Sequence, residues 1–146
     1  MKKLISSAAI AAALLAVPAS ANEGRVEGRA LLGFGNGSED FAGGIAVGYD
    51  LDMGTNTFFG PEASLDTDFD GVELINLGGR LGVKTGDVGR LYVGAAYEIN
   101  DIEAFNAGVG YQHSFNNKMY GKLEYRRFFM DGSDLNTAGI GVGIKF

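Results

Sequence analysis

The sequence has 146 residues, with 18 acidic side chains against 12 basic ones, a single histidine and no cysteine. The missing thiol excludes a disulfide framework, a thiolate metal site and a cysteine nucleophile. The acidic balance argues against a nucleic-acid partner, because binding to phosphates requires a basic surface.

The N-terminal segment carries the three-part pattern of a secretory signal peptide. Lys2 and Lys3 give a positive start, an apolar stretch runs from Leu4 to Val17, and the small residues Ala19 and Ala21 mark a cleavage site. The apolar stretch is shorter than the ~20 residues that a membrane-spanning helix needs, so cleavage is favoured over an uncleaved anchor. We therefore expect a signal peptide that covers the first 21 residues (1–21) and directs the chain to export.

Residues 22–146 are enough for one domain, and glycine is its main compositional feature. The sequence has 24 glycines, well above the usual frequency of ~7%. The glycines recur inside segments in which apolar residues alternate with small or polar ones, which is the period of a β-strand. No segment of this domain shows helical periodicity. We predict eight strands of about ten residues each, separated by turn sequences such as DGSD.

The alternation is clear from the first strand onward. Arg25, Glu27 and Arg29 fall on one face, whereas Val26 and Ala30 fall on the other. In chain order the predicted strands are RVEGRALLGF, GGIAVGYDL, FFGPEASLD, LINLGGRLGVK, LYVGAAYEI, FNAGVGYQH, MYGKLEYRRF and AGIGVGIKF.

Pro61 is the residue that fits this pattern least well. Proline has no N–H for the ladder of hydrogen bonds, and a closed barrel has no edge strand on which that loss is harmless. We therefore expect a β-bulge near the start of the third strand.

Alternation alone fits both a soluble ligand-binding barrel of the periplasm and a barrel in the outer membrane. The strand length matches a tilted bilayer crossing, and the polar faces mix glycine with charges of both signs, as a crowded lumen requires. Aromatic residues gather at the strand ends, as in the interfacial belts of membrane proteins: Phe34, Phe41, Tyr97, Phe105 and Phe129 toward one rim, and Tyr49, Phe58, Phe59 and Tyr111 toward the other. We predict an all-β fold, an eight-stranded antiparallel up-and-down transmembrane β-barrel.

Charged residues of both signs share the inward face of the predicted barrel. An eight-stranded barrel is only wide enough to be filled by its own side chains, and an unpaired charge there would be costly. A paired network that fills the lumen is therefore favoured over a lining for ions, which leaves a narrow porin as the alternative. The predicted lumen charge network comprises Arg25, Glu27, Arg29, Glu62, Arg80, Glu98, Lys122, Glu124 and Arg126.

The segment DTDFDG resembles the first half of a calcium-binding loop, in which alternate carboxylates wrap a hard cation. Asp66, Asp68 and Asp70 would be the ligands, but Leu77 stands where that loop needs a glutamate. This segment is one of four predicted loops at the outer rim of the barrel. Together the four loops contain ten acidic residues between Glu39 and Asp134 and no basic residue. A weak calcium site and a diffuse attraction for divalent cations are both open, and no other cofactor is expected.

Two further residues bear on function. Catalysis by a nucleophile needs an adjacent base, but His113 and Ser114 are neighbours on opposite faces of one strand and cannot form a dyad. No enzymatic activity is therefore expected. The alternation of strand residues places Arg127 on the outer face of the barrel, near the rim with the acidic loops. There its side chain would either bind a lipid phosphate or extend toward the membrane–water interface.

The ordered pieces RVEGRALLGF, GGIAVGYD, GPEASLD, GRLGV with LYVGAAYE, AGVGYQHSF, YGKLEYR and GIGVGIKF resemble the opacity-protein and "porin family" type of small outer-membrane barrels. The resemblance implies a monomeric protein of the Gram-negative outer membrane with both termini in the periplasm. It implies contact with membrane lipid and lipopolysaccharide, and with the barrel assembly machinery, for which Phe146 resembles the terminal aromatic signal. Adhesins of this type carry long loops, whereas the loop NDIE is short, so adhesion is not implied.

Overall fold

The computed structural model describes residues 23–35, 37–71 and 73–146. The predicted signal peptide, residues 1–21, lies outside the described residues. Eight antiparallel strands form a closed barrel in which each strand pairs with the next and the last pairs with the first. This confirms the predicted fold. The strands are β1 (Glu23–Gly35), β2 (Ser38–Asp52), β3 (Thr57–Thr67), β4 (Glu73–Thr85), β5 (Gly89–Glu98), β6 (Phe105–Ser114), β7 (Met119–Met130) and β8 (Ser133–Lys145).

The barrel closes along a continuous seam between β1 and β8. Their pairing runs in one register from Arg25 opposite Lys145 to Phe34 opposite Asn136. Strands of 10 to 15 residues are somewhat longer than predicted. Within the described ranges, no helix is long and apolar enough to cross a membrane.

The two ends of the barrel differ in charge. We call one the acidic end; it carries the connections β1–β2, β3–β4, β5–β6 and β7–β8, and with them the ten acidic residues noted above. The other is the terminal end, which holds Glu23, Phe146 and the connections β2–β3, β4–β5 and β6–β7. Gly37 and Gly132, in the tight turns of the acidic end, have φ angles of +83° and +81°, which favour glycine.

The two faces of the barrel reverse the usual arrangement of a water-soluble protein. Large apolar side chains point outward and are exposed, for example Leu123 at 59% and Ile140 at 61%, whereas Arg25 in the lumen is 1% exposed. An outward apolar surface that continues over all eight strands exceeds the few hundred Å² that soluble monomers tolerate. The distribution therefore argues against the soluble alternative and fits a barrel surrounded by lipid.

The bulge expected at Pro61 is absent from the described strands. The β2–β3 ladder keeps the same register on both sides of this residue, from Gly48 opposite Glu62 to Leu51 opposite Phe59. On its other side, Pro61 pairs with Gly79 in the regular β3–β4 ladder. The missing N–H interrupts only the local pairing with β2, so the neighbouring strand positions hold the chain straight without an inserted residue.

The assignment of Phe58 to an outer aromatic belt was wrong. Neighbouring strand residues point to opposite faces, so Phe59 lies outside at 43% exposure whereas Phe58 is fully buried in the lumen. The guanidinium carbons of Arg80 and Arg90 each lie 5.3 Å from the centre of the Phe58 ring. Phe58 therefore packs against the lumen charges at the terminal end.

Candidate functional site: the lumen charge network

Because strand residues alternate between the two faces, the predicted charged side chains all point into the barrel. Most of them bind side chains of opposite charge, and one binds backbone groups. Seven of them are at least nine-tenths buried: Arg25, Glu27, Arg29, Glu62, Arg80, Glu98 and Lys122. Glu124 and Arg126 are more exposed as whole residues, although their side chains alone are only 7% and 13% exposed.

A chain of ion pairs crosses the lumen from β1 to β7 by way of β3. Arg25 Nη1 lies 2.8 Å from Glu62 Oε2, and Arg126 Nη2 lies 2.7 Å from the other oxygen of the same carboxylate. Arg126 Nε donates to Glu124 Oε1 at 2.6 Å. Since β3 and β7 are not neighbours in the sheet, Glu62 and Arg126 form a bridge across the barrel interior.

Two tyrosine hydroxyls extend this chain. Tyr120 donates to Glu27 Oε2 at 2.8 Å, and Tyr92 donates to Glu124 Oε2 at 2.6 Å. Lys122 forms an ion pair with Glu27 and places its Nζ atom 3.5 Å from Glu124 Oε2. Charged groups and aromatic hydroxyls thus pair with one another in the middle of the lumen.

Asp66, one of the three predicted calcium ligands, is bound to the lumen charge network. Arg29 Nε donates to Asp66 Oδ1 at 2.7 Å, and Arg29 Nη2 donates both to Asp66 Oδ2 and, at 2.6 Å, to Ser64 Oγ. In the loop beyond, Asp68 Oδ1 accepts from the backbone N–H of Asp70 at 3.0 Å. Among the described residues, no three His, Cys, Asp or Glu side chains are grouped so as to hold a metal ion. The three predicted calcium ligands therefore do not converge.

The sequence-based list of network residues omitted Asp50, which binds three arginines. Its Oδ2 atom lies 2.6 Å from Arg80 Nη2 and 2.5 Å from Arg90 Nη1, and its Oδ1 atom lies 3.4 Å from Arg25 Nε. Arg80 also donates to Gln112 Oε1 at 3.0 Å. The alternation of β2 already placed Asp50 on the polar face, and that parity is the signal that could have identified it.

Glu98 lies in the lumen with no exposed surface, and its carboxylate binds backbone N–H groups. Its carboxylate accepts hydrogen bonds from five backbone N–H groups, of Ile75, Asn100, Asp101, Ile102 and Glu103, at 2.8 to 3.3 Å. The assignment of Glu98 to the ion-pair network is therefore corrected. Glu98 therefore stabilises the loop between β5 and β6, because its carboxylate accepts hydrogen bonds from N–H groups that a short loop leaves unpaired.

The inward glycines make room for rings as well as for charged chains. A Cβ atom on Gly143 would overlap the Tyr120 ring, and one on Gly110 would overlap the Tyr92 ring. A Cβ on Gly48 would lie 2.6 Å from Arg25 Nη2. In the last strand, Gly139 faces Leu31, so the glycines of this strand make room for an apolar side chain as well.

This packing predicts that two glycine substitutions differ in their effect on stability. Gly143→Ala should lower the free energy of unfolding by about 1–3 kcal/mol, because the added methyl displaces the Tyr120 ring from its place beside Glu27. Gly28→Ala is the matched control, since a Cβ at Gly28 meets no atom within 4 Å. Denaturant unfolding of the refolded barrels measures both. Equal effects at the two positions would contradict the role assigned to Tyr120.

Three residues outside the network were also singled out by the sequence. His113 packs on the outer surface against Tyr111 and Phe115, with ring centres 6.4 and 5.8 Å apart, whereas Ser114 Oγ accepts from Lys145 Nζ at 3.0 Å. His113 and Ser114 are therefore separated by the wall of the barrel. Arg127 is exposed outside, and its guanidinium carbon lies 5.9 Å from the centre of the Phe129 ring.

Phe146 extends the seam by one residue beyond β8. Its N–H and C=O form two hydrogen bonds with the backbone of Gly24, at 2.9 and 2.8 Å. Its ring covers Gly24, where a Cβ would come within 2.6 Å of it, and meets the Tyr49 ring at 6.5 Å. The ring is nevertheless 61% exposed, so Phe146 presents an aromatic surface on the outside of the terminal end.

No protein-family model matches this sequence, and no curated protein matches it. Solved structures do match in fold. The attachment invasion locus protein Ail of Yersinia pestis has a TM-score of 0.64 at 11% identity, over 85% of this chain and 98% of Ail. The N-terminal β-barrel domain of Pseudomonas aeruginosa OprF has a TM-score of 0.58 at 20% identity, over 84% and 97%. A de novo designed transmembrane β-barrel has a TM-score of 0.57 at 16% identity, over 84% and 95%. The shared property is the fold, a small transmembrane β-barrel.

Proposed function

We propose that this protein is an integral barrel of the Gram-negative outer membrane, closed by its lumen charge network, with a structural or surface-interacting role. The observation that carries the proposal is the reversal of faces in a closed barrel, with exposed apolar residues outside and paired charges inside. In a lipid bilayer the apolar outer face contacts lipid and the charged inner face is kept away from it, so both faces are in a favourable environment. Ail and OprF, which share the fold, come from Gram-negative bacteria.

The orientation follows from the two ends. The terminal end would face the periplasm and the acidic end would face outward, with membrane lipid around the apolar surface. The acidic side chains of this end, apart from the buried Asp66, would meet the divalent cations of the lipopolysaccharide layer diffusely, since no three of the described carboxylates are grouped so as to hold a metal ion. The resemblance to the opacity-protein and "porin family" type belongs to this proposal, as does a monomeric state.

Closure of the lumen rests on its two largest side chains. Arg25 and Arg80 head the fully buried side chains by volume, and both converge on Asp50. A void between Glu62, Asn76 and Arg80 is only about 10 Å³, at the lower limit for holding one water molecule. Packing this tight beside Arg80 supports a lumen that is closed to ions at this height.

Conductance tests the closed lumen against a narrow porin. Purified barrel in a planar bilayer should show no reproducible open steps, because the charged side chains occupy the path. The double variant Arg25→Ala with Arg80→Ala should show them, since it removes the two largest buried side chains. Reproducible steps from the unmodified protein would favour the narrow porin.

Membrane location is tested separately. The protein should fractionate with the outer membrane, require detergent for extraction and migrate differently on gels before and after heating, as folded barrels do. Recovery in the soluble periplasmic fraction would overturn the proposal whatever the conductance.

A further inference from the structure

A cavity lies at the acidic end of the lumen, above the ion pairs. Its volume is about 180 Å³, compared with the ~150 Å³ of an apolar cavity that holds a benzene molecule. The walls are mostly apolar and the floor is polar. The apolar wall residues are Leu31, Ala42, Leu74, Phe128 and Leu135, and the floor residues are Arg29, Asn76, Glu124 and Arg126.

Arg29 supplies a buried donor at the floor of this cavity. The residue is 8% exposed, and its Nε and Nη2 atoms are engaged by Asp66 and Ser64. Among the described residues, Nη1 has no hydrogen-bond acceptor. The oxygen Glu124 Oε1 lies 3.9 Å from Nη1, which is beyond hydrogen-bond reach. Since buried N–H groups are nearly always bonded, a guest with an acceptor oxygen would complete the arrangement.

The charges around the cavity select against ionic guests. Asp40 is exposed at the rim and Asp68 stands beside it, within an end of the barrel that carries no basic loop residue, so an anion is repelled on approach. The carboxylates of Asp66 and Glu124 are already paired with Arg29 and Arg126, so a cation finds no free partner on the floor. Desolvation of either ion would therefore go uncompensated.

We propose that the acidic-end cavity binds a neutral molecule about the size of one six-membered ring, with an apolar body and one carbonyl or hydroxyl oxygen. The body packs against Leu74 and Leu135, and the oxygen accepts from Arg29 Nη1. The proposal goes beyond the role assigned above. It concerns the purified barrel, and it holds or fails independently of conductance and of membrane location.

Benzamide is the probe for the test, because it is neutral, has the required size and carries one carbonyl oxygen. In the refolded barrel in detergent micelles, NMR methyl signals of Leu31, Leu74 and Leu135 should shift saturably. Leu77 and Leu81 point outward and serve as reporters of partition into the micelle. Their signals should shift only in proportion to probe concentration.

Two comparison probes test the chemistry of the site. Toluene lacks the oxygen and benzoate carries a charge at the same size, so both should bind at least tenfold more weakly than benzamide. A site built around a hydrogen bond discriminates against an analogue that lacks the partner. Equal affinity for toluene would remove Arg29 from the proposal, and tighter binding of benzoate would overturn the selection for neutral guests.

A matched pair of variants locates the site. Leu74→Trp fills the cavity and should abolish saturable binding, whereas Leu77→Trp places the same ring on the outer face of the same strand and should leave it unchanged. Heat-modifiable migration establishes that both variants are folded. The proposal is overturned if saturable binding survives Leu74→Trp, or if the unmodified barrel shows only linear shifts up to the solubility limit of benzamide.

Discussion

Asp50→Asn is expected to lower the free energy of unfolding of the barrel by about 3–5 kcal/mol, the cost of leaving a buried charge without its partner. Asp50 is 1% exposed and lies between Arg80, Arg90 and Arg25. Asparagine keeps the shape of the side chain and one acceptor oxygen but removes the negative charge. Three guanidinium groups would then face one another across a site from which water is largely excluded.

Arg80 is the residue that loses most. Its side chain is 1% exposed, and its ion pair is with Asp50. The remaining contacts are a hydrogen bond to Gln112 and the rings of Tyr92 and Phe58, whose centres lie 4.8 and 5.3 Å from the guanidinium carbon. Neutral groups of this kind stabilise a cation far less than a carboxylate does at the same depth.

Asp52→Asn on the same strand is the matched control. Asp52 pairs with Lys84 at 2.6 Å, but the two side chains are 29% and 27% exposed. Exposed pairs contribute about 0–1 kcal/mol, so the same substitution two residues away should change stability little. Denaturant unfolding in detergent or lipid vesicles compares the two variants. If both variants lose a similar amount of stability, the lumen screens charges as effectively as bulk water does. That outcome would contradict the role assigned to the buried Asp50.

The sequence predicted the faces of the strands more reliably than the partners of the side chains. The parity argument succeeded because every ladder keeps one register along its length, with no inserted residue even at Pro61. A single bulge would have exchanged the inward and outward sets beyond it. The regular alternation therefore carries most of the fold, including the inward positions of Arg25 and Glu62.

Partner choice depends on how strands far apart in sequence meet across the lumen, and local periodicity does not encode that geometry. Glu62 and Arg126 are 64 residues apart in the chain and meet only because the barrel closes. Glu98 has the same parity and charge as Glu62, but it lies next to a short loop whose N–H groups it satisfies. Whether a lumen carboxylate binds arginine or backbone thus depends on which groups the closed barrel places beside it.

Removal of the Phe146 side chain is expected to reduce assembly in the cell several-fold while leaving export intact. This expectation rests on the proposed role of the residue as a signal for the barrel assembly machinery. The ring is 61% exposed on the outside of the terminal end, where another protein could contact it, and the adjoining strand must pair with β1 to close the barrel. Phe146→Ala should therefore give processed but unassembled protein, and Phe146→Tyr should restore assembly.

The contacts of Phe146 with Gly24 and Tyr49 offer a purely structural explanation, which refolding in vitro separates from the signal. If the ring acts through the machinery, Phe146→Ala should refold into lipid vesicles nearly as well as the unmodified chain, because most backbone bonds of the seam remain. Phe115→Ala is the control, since Phe115 is another aromatic at the terminal end with the same 61% exposure. It should affect neither process. An equal defect of Phe146→Ala in vesicles and in cells would assign the ring to closure of the seam and contradict its role as a signal.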